Sequence, residues 1–388
     1  METIEQMKKA LIAASVASMI DQFTIPNIKL LAELGYEVTV AANFEESGSI
    51  TKERAAALAQ NLADMGVKVV NLPIPRRVLA LGAILKSYLK LRKLSRENKY
   101  SLMHCHSPIG GAIARLAVRK ERKQGITKSV YTAHGFHFYK GAPKKNWLIF
   151  YPIEKLCARV TDVLITINRE DYELAKEKMH AGRVEYIPGV GIDTDKISSI
   201  KVDRVKKKEF FGIPADAPLV LSVGELNRNK NHEVALRALA CAMNTDAHYA
   251  IAGKGSLDGK IMGIARELGI EDRIHLLGYR TDVLEFYQIA DIFVHPSYRE
   301  GLPVSVMEAM AAGLPVVASR IRGNEDLIDE GGGILLTADD VDGFTVAIED
   351  LLSDSEKRRR MGAHNREASH RYSIGAVSEK LLAIYEEK

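Results

Sequence analysis

Short apolar runs alternate along the whole chain with longer stretches in which apolar positions recur at helical spacing. In the first half the runs are ALIAASVA, YEVTVAA, VKVVNLPI, SLMHCHS, SVYTAHG, DVLITIN and VEYIP, separated by segments such as ITKERAAALAQNLADMG and REDYELAKEKM. In the second half they are PLVLSVG, HYAIAG, RIHLLG, DIFVHPS, PVVAS and GGILL. Strand and helix in repeated alternation predict an α/β fold with parallel sheets covered by helices on both faces. Two doubly wound, Rossmann-like domains are expected, meeting near residues 190–212, where turn formers and charges mix. The division is set at 1–200 and 201–388, and the last helical pattern, SIGAVSEKLLAIYEEK, fits against either domain. Ligands of such sheets bind beyond the carboxyl ends of the strands, so functional residues belong in the loops just after them.

Composition narrows the class. With 388 residues the chain is long enough for two cores, and 46% apolar with 27% charged residues is a globular balance. Cys105, Cys157 and Cys241 lie far apart, which disfavours a disulfide framework or a zinc site and fits a reducing cytoplasm. Lys8 and Lys9 before ALIAASVASMI resemble the start of a secretory signal, but the alternation that follows needs that run as a first buried strand. No apolar run approaches a membrane span.

Charge is unevenly placed. Residues 1–200 hold 30 Lys and Arg against 20 Asp and Glu, and residues 201–388 hold 24 against 30, so the two domains are expected to meet different partners. In LGAILKSYLKLRKLSRENKY, helical spacing puts Leu81, Ile84, Leu85, Tyr88 and Leu91 on one face and Lys86, Lys90 and Lys93 on another. An ordinary packed helix with a solvated basic face is the simpler expectation, and adsorption to anionic lipid is the alternative.

REGLPVSVMEAMAAGLPVVAS carries the sharpest chemical signal. Pro303 suits the first helical position, Gly313 and Pro315 end the helix, and Glu308 is its one carboxylate among apolar residues. A buried carboxylate needs donors, and the free N–H groups around Gly301, Leu302 and Val304 make an anion site at the helix start. Side chains lean toward a helix N-terminus, so Glu308 reaches back toward that anion, and Glu300 stands in the loop on its other side. A long ligand with a central negative charge and hydroxyl groups at both ends fits this layout, as in a nucleotide-sugar. From this stretch alone, a Glu308 salt-bridged to a neighbouring helix remains the alternative. In HCHSP, His104 and His106 alternate along a strand and are expected on opposite faces, which makes no metal site.

ADIFVHPSYREGLPVSVMEAMAAGLPVVAS resembles the signature of retaining glycosyltransferase family 4, whose fold is GT-B, with its two glutamates here at Glu300 and Glu308. SVGELNRNKNHEVALRAL resembles that family's phosphate loop, IAGKGS and HLLGYRTDVLEFYQIAD its next segments. HCHSPIGGAIARLA and YTAHGFHFYKGAP resemble its bacterial exopolysaccharide and lipopolysaccharide branch. The resemblance implies that Glu308 binds the donor ribose, Glu300 contacts the transferred sugar and Lys230 holds the diphosphate. Backbone groups at Gly301, Leu302 and Val304 would help, with the base beside Tyr279 and Arg280. His134 would position sugar or acceptor, with His106, Phe136 and Tyr139 on the acceptor side. Implied too are a nucleotide-sugar donor, most simply a UDP-sugar, and a polysaccharide or lipid-linked acceptor. No metal or other cofactor and no nucleic acid partner is expected, and the place of action is the cytoplasm, with peripheral contact to an anionic membrane.

Two departures stand out. The loop ASVASMIDQF after the first strand has no glycine, and Gly224 is followed by Glu225 where the family has arginine. Arg228, between Glu225 and Lys230, is expected to supply the missing cation, with Glu225 turned away or orienting it. Two rivals share the fold: a non-hydrolysing UDP-sugar 2-epimerase, and a non-catalytic GT-B partner subunit. A dinucleotide dehydrogenase is disfavoured, because GxGxxG is absent after the first strand.

Overall fold

A computed structural model describes residues 8–77, 79–243 and 246–387, and in it every apolar run quoted above forms a strand. The chain divides into two compact units, Met1–Val190 with Val377–Lys388, and Gly191–Ala376. The division thus falls after Val190, ahead of the 200/201 boundary read from the sequence.

The first unit holds β1 (Lys9–Val16), β2 (Glu37–Asn43), β3 (Lys68–Asn71), β4 (Leu102–His106), β5 (Lys128–Ala133), β6 (Val163–Thr166) and β7 (Arg183–Tyr186). All neighbours pair in parallel, in the order β3-β2-β1-β4-β5-β6-β7. Strand period puts alternate residues on opposite faces, and both faces are covered. Along β1, Ala10, Ile12 and Ala14 enter one core and Leu11 and Ala13 the other. This is why ALIAASVA reads as a nearly continuous apolar run. The closing helix, Ile374–Glu386, contributes Val377, Leu381, Ile384 and Tyr385 to this unit's core. Its end is tied down by Lys128, whose Nζ donates to the carbonyls of Ile384 (2.8 Å) and Glu387 (2.7 Å), a cation at a helix C-terminus.

The second unit holds β8 (Leu219–Val223), β9 (His248–Ala252), β10 (Ile274–Gly278), β11 (Ile292–His295), β12 (Val316–Ser319) and β13 (Gly333–Leu336), in the order β10-β9-β8-β11-β12-β13. The strand order reverses between β8 and β11, the place where the loops part and open sheets hold their ligands. One glycine lets backbone close in around that point, and another ends the helix that starts there. A Cβ on Gly253 would stand 1.8 Å from the Gly224 carbonyl oxygen, so the loops after β8 and β9 touch only because Gly253 has none. Gly313 (φ +81°) ends the Val304–Ala312 helix in the left-handed region.

Among the described residues no helix is long and apolar enough to cross a membrane.

Candidate active site

The loop leaving β8 makes a single turn of 3-10 helix, Arg228–Lys230, capped by the Asn227 side chain accepting from the Lys230 N–H at 3.1 Å. The loop leaving β11 runs beside it. Asn229 fastens the two, donating from Nδ2 to the Arg299 carbonyl (2.9 Å) while its own carbonyl accepts from the Tyr298 N–H (2.8 Å). That lacing brings together side chains seventy residues apart in sequence: Lys230 Nζ donates to Glu300 Oε1 at 2.7 Å. His295, at the end of β11, sets Nε2 at 3.2 Å from the same oxygen, and Arg322 Nε donates to the Glu300 carbonyl at 3.1 Å.

Glu300 is little exposed (13% of its side chain), and burial by itself would raise its carboxyl. The Lys230 ammonium and the His295 contact prevail and hold it well below the usual carboxylate range. A shielded pair of this kind adds little net stability, because desolvating both charges offsets much of their attraction. What it supplies is a fixed cation at the strand-order reversal, whose counter-charge is a neighbouring carboxylate.

Beyond Glu300, the helix Val304–Ala312 begins with Pro303 as its N-cap, so the proline stands one position outside the helix expected to start on it. The first intrahelical bonds run from Val306 and Met307 to the Pro303 carbonyl, leaving the N–H of Val304 at the open start. Glu308 is half-buried, and its Oε2 accepts from the buried Tyr287 hydroxyl at 2.9 Å. Burial pushes the Glu308 carboxyl up to about 7, against the opposing effect of the Tyr287 bond. The alternative of a salt bridge to a neighbouring helix is not what is found: the partner is a neutral phenol. The helix thus carries a carboxylate that is costly to ionise, about one turn past an N-terminus suited to an anion.

The other expected residues fall in different places. Gly301 and Leu302 lie between Glu300 and the helix. Tyr279 is 71% exposed, whereas Arg280 is closed on Asp282 by two bonds of 2.7 Å and lies over the Phe211 ring. Glu225 is exposed and accepts from Asn227 Nδ2 at 2.9 Å, so it is Asn227, and not Arg228, that holds its carboxylate. Arg228 is exposed and lines an open groove of about 550 Å³ with Glu233, Arg237, Tyr298 and Asp339, a groove that Lys230 does not line.

In the first unit His106, the last residue of β4, sets Nδ1 at 3.0 Å from Nε2 of His134, the residue just after β5. The rings of His104 and His106 are 4.3 Å apart. Residues two apart in a strand share a face, so the expectation of opposite faces was wrong. His104 is held between Tyr385 Oη (2.6 Å) and Thr132 Oγ1 (2.8 Å), a core histidine that burial keeps neutral, its pKa lowered to about 3. Burial lowers His134 to about 4. Phe136 is buried and stacked on Phe138 at 4.7 Å, so its ring is core and not acceptor-facing, while Tyr139 is half-buried. Among the described residues no group of three or more His, Cys, Asp or Glu side chains is gathered to hold a metal.

Two participants were not read from the sequence, His295 and Tyr287. His295 had a signal, since it closes the strand IFVH at the reversal point; Tyr287, inside the helix Val283–Ile289, had none.

Comparison with known proteins places these elements. Residues 203–368 match the family description "Glycosyl transferases group 1", and residues 27–189 match "Glycosyl transferase 4-like domain". The chain is 35% identical over 383 residues to the putative glycosyltransferase EpsD of Bacillus subtilis (strain 168), covering 97% of this chain and 96% of that one. It is 27% identical over 345 residues to the Escherichia coli UDP-Gal:alpha-D-GlcNAc-diphosphoundecaprenol alpha-1,3-galactosyltransferase, covering 87% and 85%. Among solved structures, Anabaena Alr3699/HepE in complex with UDP and glucose superimposes with a TM-score of 0.79 at 18% identity, over 97% of this chain and 99% of that one. WaaG, a glycosyltransferase of lipopolysaccharide biosynthesis, does so with a TM-score of 0.72 at 17% identity, over 98% and 100%.

Proposed function

We propose, from the premise that this chain belongs to the group 1 glycosyltransferases and has their GT-B fold, that it moves a sugar from a UDP-sugar to a lipid-linked or polysaccharide acceptor with retention of anomeric configuration. The observation that carries the donor assignment is the Lys230–Glu300 pair at the β8/β11 reversal, beside the open start of the helix that bears Glu308. A diphosphate over that helix start would draw Lys230 toward it, with the N–H groups of Gly301, Leu302 and Val304 as further donors. Glu308 would take the ribose hydroxyls and Glu300 would contact the sugar. Because Arg280 is closed on Asp282, the base would be read by backbone near Tyr279. On the acceptor side His134, backed by His106, would position the sugar or the incoming hydroxyl, with Tyr139 nearby.

In the step itself the bond from the anomeric carbon to the diphosphate oxygen breaks and a bond to the acceptor oxygen forms on the same face. The acceptor's proton passes to the departing diphosphate oxygen. Lys230 and the helix start stabilise the charge that develops there, so the step needs no protein base and no bound metal. The acceptor class is supported by the E. coli relative above and by a Campylobacter jejuni relative, 26% identical over 377 residues, both named for diphosphoundecaprenol-linked acceptors. The chain is read as working on the cytoplasmic side, at a membrane surface.

Product analysis by NMR tests the stereochemical reading: a UDP-α-sugar should give an α-linked product, and a β-linked product would refute retention. Turnover should survive excess EDTA; loss restored by magnesium or manganese would refute the metal-free reading. Arg228→Ala should lower kcat/KM by on the order of a hundredfold if Arg228 swings from its groove to the diphosphate. Steady-state kinetics decides this, and a near-native value would leave Lys230 as the sole side-chain cation.

A further inference from the structure

We propose that the outer face shared by the helices Leu81–Asn98 and Lys144–Ala158 is the surface by which this chain docks on an anionic lipid bilayer. The inference deepens the membrane-surface part of the proposed function and rests on it, but it uses no residue of the donor site.

Among the helices on one face of the first unit's sheet, Pro108–Ala117 packs against both Leu81–Asn98 and Lys144–Ala158 and so lies between them. Their inner sides are ordinary core: Leu91, Ile113 and Ala158 are buried, and Ile84, Tyr88 and Phe150 pack against them. The outer sides are not ordinary. Leu81, Leu85 and Leu89 recur every four residues, so they form one stripe, and they are 70%, 57% and 55% exposed. Leu79, just before the helix, is 88% exposed. On the other outer helix Leu148 (78%), Ile149, Ile153 and Leu156 form a second exposed apolar strip. The sequence pattern put Leu81 and Leu85 on the packed face with Ile84, Tyr88 and Leu91; the structure instead turns both to the surface. Single exposed leucines need no explanation, but two exposed apolar strips on helices that flank the same third helix do.

Charge identifies what would cover them. Residues 76–93 and 140–159 contain eleven Lys and Arg and one acidic residue, Glu154. Glu154 is buried, paired with Arg115 at 2.8 Å, and so cancels nothing at the surface. Beside Leu79, at the start of the middle helix, lies a mainly apolar groove of about 380 Å³, lined by Arg76, Arg77, Leu79, Ile109 and Phe150 among others. Apolar stripes bordered by cations are the layout of helices that lie in a bilayer interface, with acyl chains for the leucines and lipid phosphates for the lysines. A second copy of this chain would set two such cationic faces against each other, and a nucleic acid would leave the leucines uncovered.

The test is sedimentation of the full chain with phosphatidylcholine vesicles and with vesicles of phosphatidylcholine mixed with phosphatidylglycerol, at low and high salt. Wild type should bind the mixed vesicles, lose binding at high salt and bind phosphatidylcholine weakly. Lys86→Ala/Lys90→Ala/Lys144→Ala should weaken binding on the order of a hundredfold, and Leu85→Ser/Leu89→Ser/Leu148→Ser on the order of tenfold. Arg358→Ala/Arg359→Ala/Arg360→Ala, on a basic helix of the other unit, should bind as wild type does. Unchanged thermal unfolding and unchanged UDP binding would show that the variants are folded. If wild type binds neither kind of vesicle, the membrane reading falls and this surface with it. If wild type binds and both face variants bind equally well, the membrane reading stands and the surface is wrong. If the leucine variant keeps vesicle binding but converts a dimer to a monomer in light scattering, the face belongs to a second copy.

Discussion

Lys230→Ala is expected to lower kcat by on the order of 10²–10³, the usual cost of removing one charged contact to a developing leaving group. The fall has two sources in this geometry. The diphosphate loses the ammonium that would neutralise it, and Glu300 loses the cation that holds its carboxyl down. With burial then less opposed, Glu300 shifts toward protonation and ceases to be a dependable acceptor for the sugar. Lys230→Arg should recover only part of the loss, because a planar fork cannot follow an ammonium's path beside Gly224, where even an added Cβ would come within 3.0 Å of the Lys230 side chain. Nucleotide release at saturating donor measures this, and a kcat for Lys230→Ala within a few-fold of wild type would remove Lys230 from the chemistry.

Glu308→Gln is expected to act on binding more than on turnover. Ribose contacts are made in ground and transition states alike, so donor KM should rise about 10–100-fold while kcat at saturation changes little. The pH dependence has a definite sign. With the Glu308 carboxyl pushed up to about 7, wild-type donor affinity should weaken as pH falls through 7 and the acceptor oxygens gain a proton. Glutamine should flatten that profile. Stability should move the other way. The unfolded chain ionises Glu308 near 4.5 and the folded chain not until about 7, so folding is increasingly penalised as pH rises between those values and fully so above them. Glu308→Gln should therefore be more stable than wild type by about 3 kcal/mol at pH 8, a gain that vanishes near pH 4. Thermal unfolding at the two pH values checks it. A variant less stable than wild type at pH 8 would mean that the ionised carboxylate is well solvated.

Much of this was legible because parallel strands covered on both faces must be apolar throughout, and such runs are visible without any knowledge of pairing. Glu308 was legible for the complementary reason: a carboxylate in a helix that is otherwise apolar demands an explanation. What sequence could not give were contacts set by the fold. Lys230 meets Glu300 across seventy residues only because β8 and β11 are neighbours in the sheet. Tyr287 reaches Glu308 from a separate helix. Helical spacing named the leucines of Leu81–Asn98 but not which stripe faces the sheet, since apolar residues occupy more than one side of that helix. Phe136 followed a histidine in a loop after a strand and looked like a binding residue, yet the loop folds its aromatic rings inward.

The donor-site assignment is tested most directly by nucleotide release from a panel of nucleotide-sugars, in the presence of diphospholipid-linked saccharide acceptors. A UDP-sugar should be consumed, with UDP appearing in step with the extended acceptor and both signals collapsing in Lys230→Ala. Release from no donor in the panel, or a sugar epimerised while still attached to its nucleotide, would contradict it.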